Sequence, residues 1–93
     1  MAVLSYGEPS INQQMYDGFM EQVGDKLSAA PGFIAHLAGP TASGWGVTEV
    51  WESQAAAETF YRDTIAPMFD AAGGTMPAMQ FRPLHNVMLG SRG

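Results

Sequence analysis

An alternating run of apolar residues from Trp45 to Trp51 leads, after a single turn, into an amphipathic helix. This junction constrains the fold most, because the apolar face of the strand and the apolar face of the helix must be buried together. Similar patterns flank it, and the whole chain reads strand, helix, strand, strand, helix, strand. The order predicts two βαβ units in series within a single domain, residues 1–93.

The first half is predicted to hold one strand and one helix. The strand covers Ala2–Tyr6, and Ser10 caps a helix that ends near Ala29. Gln13 follows Ser10 by three residues, which is the spacing of a capping box. Apolar side chains recur at helical spacing and form one wide face: Ile11, Met15, Tyr16, Phe19, Met20, Val23 and Leu27.

The second half is predicted to hold a hairpin, a broken helix and a final strand. Its strands cover Phe33–Ala38, Trp45–Trp51 and Met79–Leu89, with residues 39–44 as the hairpin loop. Pro83 within the last strand favours an edge position or a bulge that interrupts it. Ser53 caps the second helix, whereas Pro67 lacks the amide hydrogen that a mid-helix position donates. We therefore expect a kink or break at Pro67, with this residue opening a second short helical piece.

Both faces of the predicted sheet are apolar. Two βαβ units build a four-stranded antiparallel sheet with both helices on one face, which is an α+β, ferredoxin-like βαββαβ fold. Within Phe33–Ala38, both alternating sets of side chains are apolar apart from His36. An open apolar face of several hundred Å² is uncommon on a monomer. We therefore expect a homodimer in which two sheets pack into a dimeric α/β barrel with the helices outside.

The composition argues against several classes of partner. Nine acidic residues outnumber four cations, and Lys26, Arg62, Arg82 and Arg92 are scattered, so neither nucleic acid nor an anionic membrane is an expected partner. No apolar stretch is long enough to span a bilayer, and the first residues lack the pattern of a signal peptide. With no cysteine in the chain, we expect a soluble, cytoplasmic protein.

His36, Glu49 and Trp51 are the catalytic candidates. His36 stands in mid-strand, where neutral imidazole suits a general base, and the alternative is a core histidine bonded to a neighbour. A six-residue hairpin loop places His36 opposite Val47, with Glu49 and Trp51 on the same face. Glu49 would then orient the imidazole, and Trp51 is either a core plug or a pocket wall.

A second set of polar and aromatic residues is predicted to contact substrate: Tyr16, Trp45, Tyr61, His85 and Asn86. His85 is a second base, a residue that bonds across the dimer contact, or a half-exposed strand histidine. Two isolated histidines without a spaced carboxylate set do not predict a metal site. The chain also lacks a phosphate loop and a dinucleotide-binding fingerprint, so we expect no cofactor.

Two short motifs resemble those of a known family. Pro31-Gly-Phe33 precedes the second strand, and Glu49-Val-Trp-Glu52 ends the third. These motifs and the element order resemble the dimeric α/β-barrel superfamily and, within it, the antibiotic-biosynthesis-monooxygenase-like proteins. The resemblance covers nearly the whole chain and implies a pocket between helices and sheet. Haem-degrading members carry an iron-ligating histidine on the second-half helix, where this chain has Thr59-Phe-Tyr61.

The resemblance implies a cofactor-independent, monooxygenase-like enzyme acting on a small apolar, aromatic or polyketide-like molecule. In that reading a base such as His36 deprotonates the substrate, and the resulting anion reacts with dioxygen. Three alternatives remain open at the level of the sequence. One is a non-oxidative isomerase or cyclase that uses the same base, and another is a non-catalytic dimer that binds a small ligand. The third is a member of the superfamily with a filled core and no pocket.

Overall fold

The computed structural model describes residues 1–90, so Arg92 lies outside the described part of the chain. Its four strands form one antiparallel sheet in the order β2-β3-β1-β4. They are β1 (Val3–Gly7), β2 (Phe33–Thr41), β3 (Gly44–Trp51) and β4 (Gln80–Pro83). This topology confirms the predicted α+β, ferredoxin-like βαββαβ arrangement.

The helical layer packs on one face of the sheet. It comprises α1 (Gln13–Ala29), α2 (Gln54–Phe60), a π-helical segment (Tyr61–Ile65) and α3 (Ala66–Ala71). The Ser53 hydroxyl accepts from the Ala56 amide at 3.1 Å, which confirms the predicted cap of α2. Pro67 is the second residue of α3, and the helical backbone continues from Gln54 to Ala71. The break expected at Pro67 is therefore absent, and the irregularity in this helical layer is the π-helical segment that precedes α3.

The predicted cap of α1 was wrong. Ser10 lies outside the helix, because the Ile11 amide bonds the Pro9 carbonyl at 2.9 Å and turns the chain before the helix begins. Asn12 is the cap instead, and its Oδ1 accepts from the Met15 amide at 2.9 Å. Asn and Ser are about equal in capping preference, so the local turn decides between them.

The hairpin of β2 and β3 is longer than predicted. Residues 39–41 continue β2, and the two strands are joined through a turn at residues 42–43. Pro40 is tolerated because β2 is an edge strand. At an edge, a backbone N–H that points away from the neighbouring strand makes no ladder bond, so proline can take such a position. The predicted hairpin loop over residues 39–44 was therefore wrong.

The last strand is shorter than the predicted Met79–Leu89. It ends at Pro83, which cannot donate to the ladder, and one further bond joins the Leu84 amide to the Ala2 carbonyl at 2.8 Å. Beyond that bond, the chain up to residue 90 forms no strand. No helix within residues 1–90 is long and apolar enough to cross a membrane.

The core lies at one end of the helix–sheet interface. Trp51 is fully buried there and meets the ring of Phe33 edge-on, with ring centres 5.5 Å apart. The buried members of this core are Val3, Leu27, Trp51, Ala57 and Tyr61. The rest of the apolar face of α1 does not fill the core. Met15 is 43% exposed, and much of the remaining face borders a cavity.

The opposite face of the sheet is apolar near its centre. The pairing register places Leu4, Ala35, Leu37 and Val50 on this side, and Leu37 is 58% exposed. No helix within residues 1–90 covers this face, which we call the outer face. The two-sided apolar pattern predicted from the sequence is therefore present in the folded chain.

Gly32 turns the chain from α1 into β2 and is predicted to resist substitution. Its φ is +85°, and an added Cβ would lie 2.9 Å from the Cβ of Ala56. Gly32→Ala should lower the free energy of unfolding by about 1–2 kcal/mol through the left-handed backbone alone. In contrast, Gly18→Ala in α1 meets no atom within 4 Å and should stabilise by up to about 1 kcal/mol. Urea unfolding of both variants tests the pair, and equal effects would contradict this account.

Candidate active site

His36 and Glu49 face each other across the β2–β3 ladder. The register pairs them directly, and His36 Nδ1 lies 2.6 Å from Glu49 Oε2. The register predicted from the sequence placed His36 opposite Val47. It was wrong by two residues, because the hairpin loop is shorter than predicted. A shift of two keeps every side chain on its face, so the predicted contact of His36 with Glu49 is nevertheless present.

A bulge at the start of β2 sets the side to which His36 points. The register shifts between Phe33, which pairs with Trp51, and Ala35, which pairs with Val50. The extra residue, Ile34, brings Phe33 and His36 to the same face despite their odd spacing. The imidazole therefore points toward the helices and not toward the outer face.

The Glu49 carboxylate is the centre of a buried hydrogen-bond network. Glu49 is only 4% exposed, and its Oε1 accepts from Tyr61 Oη at 2.6 Å and from Trp51 Nε1 at 2.9 Å. Tyr61 Oη also lies 2.6 Å from the Ser5 hydroxyl, which is fully buried. Because Tyr61 gives its proton to Glu49, Ser5 donates to Tyr61. Both carboxylate oxygens are thus occupied by donors, which offsets the cost of burial.

Tyr16 connects this network to the space beneath the helices. Its Oη lies 2.6 Å from His36 Nε2, and the planes of the two rings are within 15° of parallel. In the neutral imidazole, Nδ1–H donates to Glu49 and Nε2 accepts from Tyr16. Burial raises the pKa of Tyr16, with smaller contributions from the charges of Glu49 and Asp17. The phenol therefore keeps its proton and serves as a donor to His36.

The π-helical segment positions Tyr61. The Ala66 amide bonds the Tyr61 carbonyl five residues back, instead of the carbonyl four back as in an α-helix. The Tyr61 side chain is buried at this turn and reaches the sheet at Glu49 and Ser5. Burial raises the pKa of the Tyr61 phenol strongly, and the Glu49 charge and hydrogen bond add to the rise.

A cavity lies between α1, the π-helical segment with α3, and the sheet. Its wall contains Tyr16, His36, Glu49 and Tyr61. Its other lining residues are apolar: Pro9, Ile11, Phe19, Met20, Val23, Leu27, Val47, Ile65, Met68, Phe69, Met76, Pro77 and Met79. The centre of a water-sized sphere can move through about 80 Å³ of this cavity. The total space free of protein atoms is about 590 Å³, with the open mouth included.

These volumes bound what the cavity can hold. A single water needs about 10–15 Å³ by the smaller measure, so the cavity has room for more than one water. Larger molecules need the mouth or a shift of the wall. Met20, Met68, Met76 and Met79 supply that adaptability, since the flexible thioether side chain repacks easily.

The structure brings five of the eight predicted site residues into the network: Tyr16, His36, Glu49, Trp51 and Tyr61. The Trp51 indole N–H donates a hydrogen bond to Glu49, but Trp51 does not line the cavity. Trp45 is buried against Tyr16 with ring centres 5.3 Å apart, and its indole N–H has no partner within residues 1–90. Trp45 lines a groove at the cavity mouth, which shares Pro9 and Ile11 with the cavity.

His85 and Asn86 lie away from the cavity. Both are exposed beyond the end of β4, near Met1 and Ile34. The expectation that they would contact substrate came from extending the last strand to Leu89. Because that strand ends at Pro83, the chain does not carry them to the network.

Ser5 and the four cavity methionines were not among the predicted site residues. Ser5 occupies an inward position of β1 between the inward positions of Val3 and Gly7, so a polar side chain at a core position was the available signal. The methionines gave a weaker signal, because an abundance of Met predicts ordinary core filling as readily as a pocket wall. Within residues 1–90, no three His, Cys, Asp or Glu side chains come together as a metal site.

Comparison with known proteins shows the fold. No family model and no curated protein matches the sequence. Among solved structures, the chain is similar to the NE2512 protein of unknown function from Nitrosomonas europaea. The TM-score is 0.67 and the identity 17%, over 97% of this chain and 93% of that one.

Two enzymes of Streptomyces share the same fold. One is a monooxygenase from the gene ActVA-Orf6 of Streptomyces coelicolor, solved with the ligand nanaomycin D, with a TM-score of 0.57 and 21% identity over 97% and 92% of the two chains. The other is SnoaB, a cofactor-independent oxygenase from Streptomyces nogalater, with a TM-score of 0.62 and 9% identity over 94% of each. The resemblance to monooxygenase-like proteins is thus confirmed for the fold.

The Tyr61 bond to Glu49 predicts a specific alkaline behaviour. The folded chain keeps the Tyr61 proton at a pH where the unfolded phenol, with a pKa of 10.0, has lost it. Stability is therefore complete below about pH 10 and falls as the pH rises further, by up to about 1.4 kcal/mol per pH unit. Tyr61→Phe should flatten that decline, while losing about 1–3 kcal/mol at neutral pH because Ser5 and Glu49 lose a partner.

Chemical denaturation between pH 7 and 11 measures both effects. Tyr6→Phe is the matched control, because Tyr6 lies on the outer face and takes no part in the network. If Tyr6→Phe flattened the alkaline decline more than Tyr61→Phe, the assignment to Tyr61 would be wrong.

Proposed function

We propose that this protein is a small enzyme that removes a proton from an apolar, aromatic molecule, with His36 as the base and no bound cofactor. The observation that carries the proposal is the Tyr16–His36–Glu49 chain of hydrogen bonds at one end of an otherwise apolar cavity. A base poised in an apolar site, with its second nitrogen held by a carboxylate, is the arrangement that general-base catalysis requires.

In the proposed reaction, the substrate proton moves from the cavity into the network, first to Tyr16 and from there to His36. The His36 Nε2 lone pair already accepts a hydrogen bond from the Tyr16 hydroxyl, so a substrate in the cavity meets the phenol first. Tyr16 takes the substrate proton as it passes its own to His36 Nε2, and this relay avoids a free tyrosinate. The imidazolium that forms is stabilised by Glu49 at 2.6 Å. In this mechanism Tyr16 and His36 are catalytic, and Glu49 is a positioning residue.

A monooxygenase-like outcome follows if dioxygen reaches the carbanion. The electron pair left by the C–H bond reduces dioxygen, and a carbon–oxygen bond forms. Loss of water from the resulting hydroperoxide leaves a carbonyl, so a methylene and one dioxygen give one carbonyl and one water. The substrate supplies all the electrons. The similar fold of a cofactor-independent oxygenase supports this version.

A non-oxidative reaction is the second candidate. The relay that accepts a proton can return it to another atom of the same molecule, which gives isomerisation or cyclisation. The short bonds from Tyr16 to His36 and from His36 to Glu49 favour this reading equally, because they hold the proton next to the cavity. Oxygen consumption by an electrode, with anthrone as the methylene probe, separates the two reactions.

We further propose that the outer face pairs with that of a second copy. Its centre carries the exposed Leu37 beside the partly exposed Leu4 and Ala35, a second copy would bury these side chains, and the family resemblance implies such a dimer. Because the cavity lies on the helix side of the sheet, each copy keeps its own site.

The base is tested with nitrobenzisoxazole, a neutral probe whose single acidic C–H is lost as its N–O bond breaks to give a coloured phenolate. His36→Gln should lower kcat on the order of 100-fold, and Glu49→Gln by a comparable amount, because each removes the base or its orientation. Glu21→Gln removes a carboxylate at an exposed site of α1 and should leave the rate unchanged. Full activity in a folded His36→Gln variant would exclude His36, and unchanged probe after long incubation with the wild-type chain would favour a binding protein.

The dimer is tested with Leu37→Asp, which places a charge at the centre of the outer face. Light scattering at micromolar concentration should give the mass of two chains for the wild type and of one for Leu37→Asp. Ala55→Asp, at an exposed position in the first turn of α2, is the control and should remain dimeric. A monomeric wild type would end the dimer proposal.

A further inference from the structure

The cavity has one polar end and no cation to balance it. Tyr16, His36, Glu49 and Tyr61 supply the polar groups, and every other lining residue is apolar. Neither lysine nor arginine is among the lining residues within the described part of the chain. With His36 neutral, the only formal charge in the wall is the negative charge of Glu49.

That charge opposes a second anion. A carboxylate placed against Tyr16 would enter a poorly hydrated space next to Glu49, with no positive partner to offset its desolvation. The protein as a whole carries a net charge of −5, which adds to the unfavourable potential. Anionic ligands are therefore disfavoured both by the local and by the overall field.

A cation is disfavoured for a different reason. An ammonium group brings three donors, and each needs an acceptor when it leaves water. Glu49 already accepts from Trp51, Tyr61 and His36, while His36 Nε2 already accepts from Tyr16. The cavity offers such a group mainly the remaining lone pairs of Tyr16, and the negative charge of Glu49 is shielded behind its own donors.

We infer that the site selects uncharged molecules that carry one hydroxyl or one acidic C–H at the end inserted against Tyr16. A substrate hydroxyl donates to Tyr16 Oη, which continues the ordered chain from Tyr16 to His36 and Glu49 without leaving a donor unpaired. The inference rests on the proposed function, which identifies the site, and it adds that the substrate is uncharged.

Three single-ring probes of similar size test this selection: p-cresol, benzoate and benzylammonium. Each is titrated at pH 7 by NMR, following the ring protons of His36, with those of His85 as an internal control far from the cavity. We expect p-cresol to shift the His36 signals and the two ions to bind at least about tenfold more weakly. Tighter or equal binding of either ion, or no binding of p-cresol, overturns the inference.

The origin of the selection is tested with Glu49→Gln and Glu21→Gln. Both raise the net charge by one, but only Glu49→Gln removes the charge at the cavity. Glu49→Gln should narrow the preference for p-cresol over benzoate by at least about threefold, whereas Glu21→Gln should leave it unchanged. Equal effects of the two variants contradict a local origin. Should Glu49→Gln fail to fold, His36→Gln, which keeps the Glu49 charge, must retain the preference, with binding then followed by the methyl signals of Met20 and Met79 in the cavity wall.

These measurements are of binding alone, so they separate the inference from the proposed function. A chain that binds p-cresol selectively but does not open nitrobenzisoxazole keeps the charge selection and loses the enzymatic role. A chain that turns over the probe but binds benzoate as tightly as p-cresol keeps the enzymatic role and loses the charge selection.

Discussion

The buried carboxylate of Glu49 is the interaction on which the site depends. It joins the sheet to the helical layer, because its donors come from β2, β3 and the π-helical segment. A buried carboxylate without partners would cost several kcal/mol, so its three donors are needed to offset the cost of burial. The same bonds fix the tautomer of His36 and aim its free nitrogen at Tyr16. Stability and chemistry thus rest on one group.

The cavity leaves apolar side chains of the helical layer and the sheet unpacked in a chain of only 93 residues. A small domain has about 5–15 kcal/mol of stability in total, so apolar surface that is not buried is a loss for a chain of this size. Phe19, Met20 and Val23 face this space although their helical spacing would equally suit a filled core. An open apolar cavity with a hydrogen-bond network in its wall is what the proposed function requires.

The element order and the His36–Glu49 contact were accessible from the sequence, while the register was not. Side chains alternate with a period of two, so the two-residue error in the hairpin left His36 and Glu49 on one face. Local capping and turn signals were ambiguous, as with Ser10 and Asn12. The bonds of Ser5 and Tyr61 depend on the π-helical segment and on contacts 56 residues apart, which no local pattern encodes.

The direction of the network decides where a proton can go. Its inner end is the fully buried Ser5 hydroxyl, and its outer end is Tyr16 at the cavity wall. A proton taken from a ligand and held on His36 therefore has its shortest way out through Tyr16, back into the cavity. Water exclusion by the apolar wall then favours its return to the bound molecule or to a leaving oxygen. Both proposed reactions, oxygenation with loss of water and isomerisation, need a proton delivered at that place.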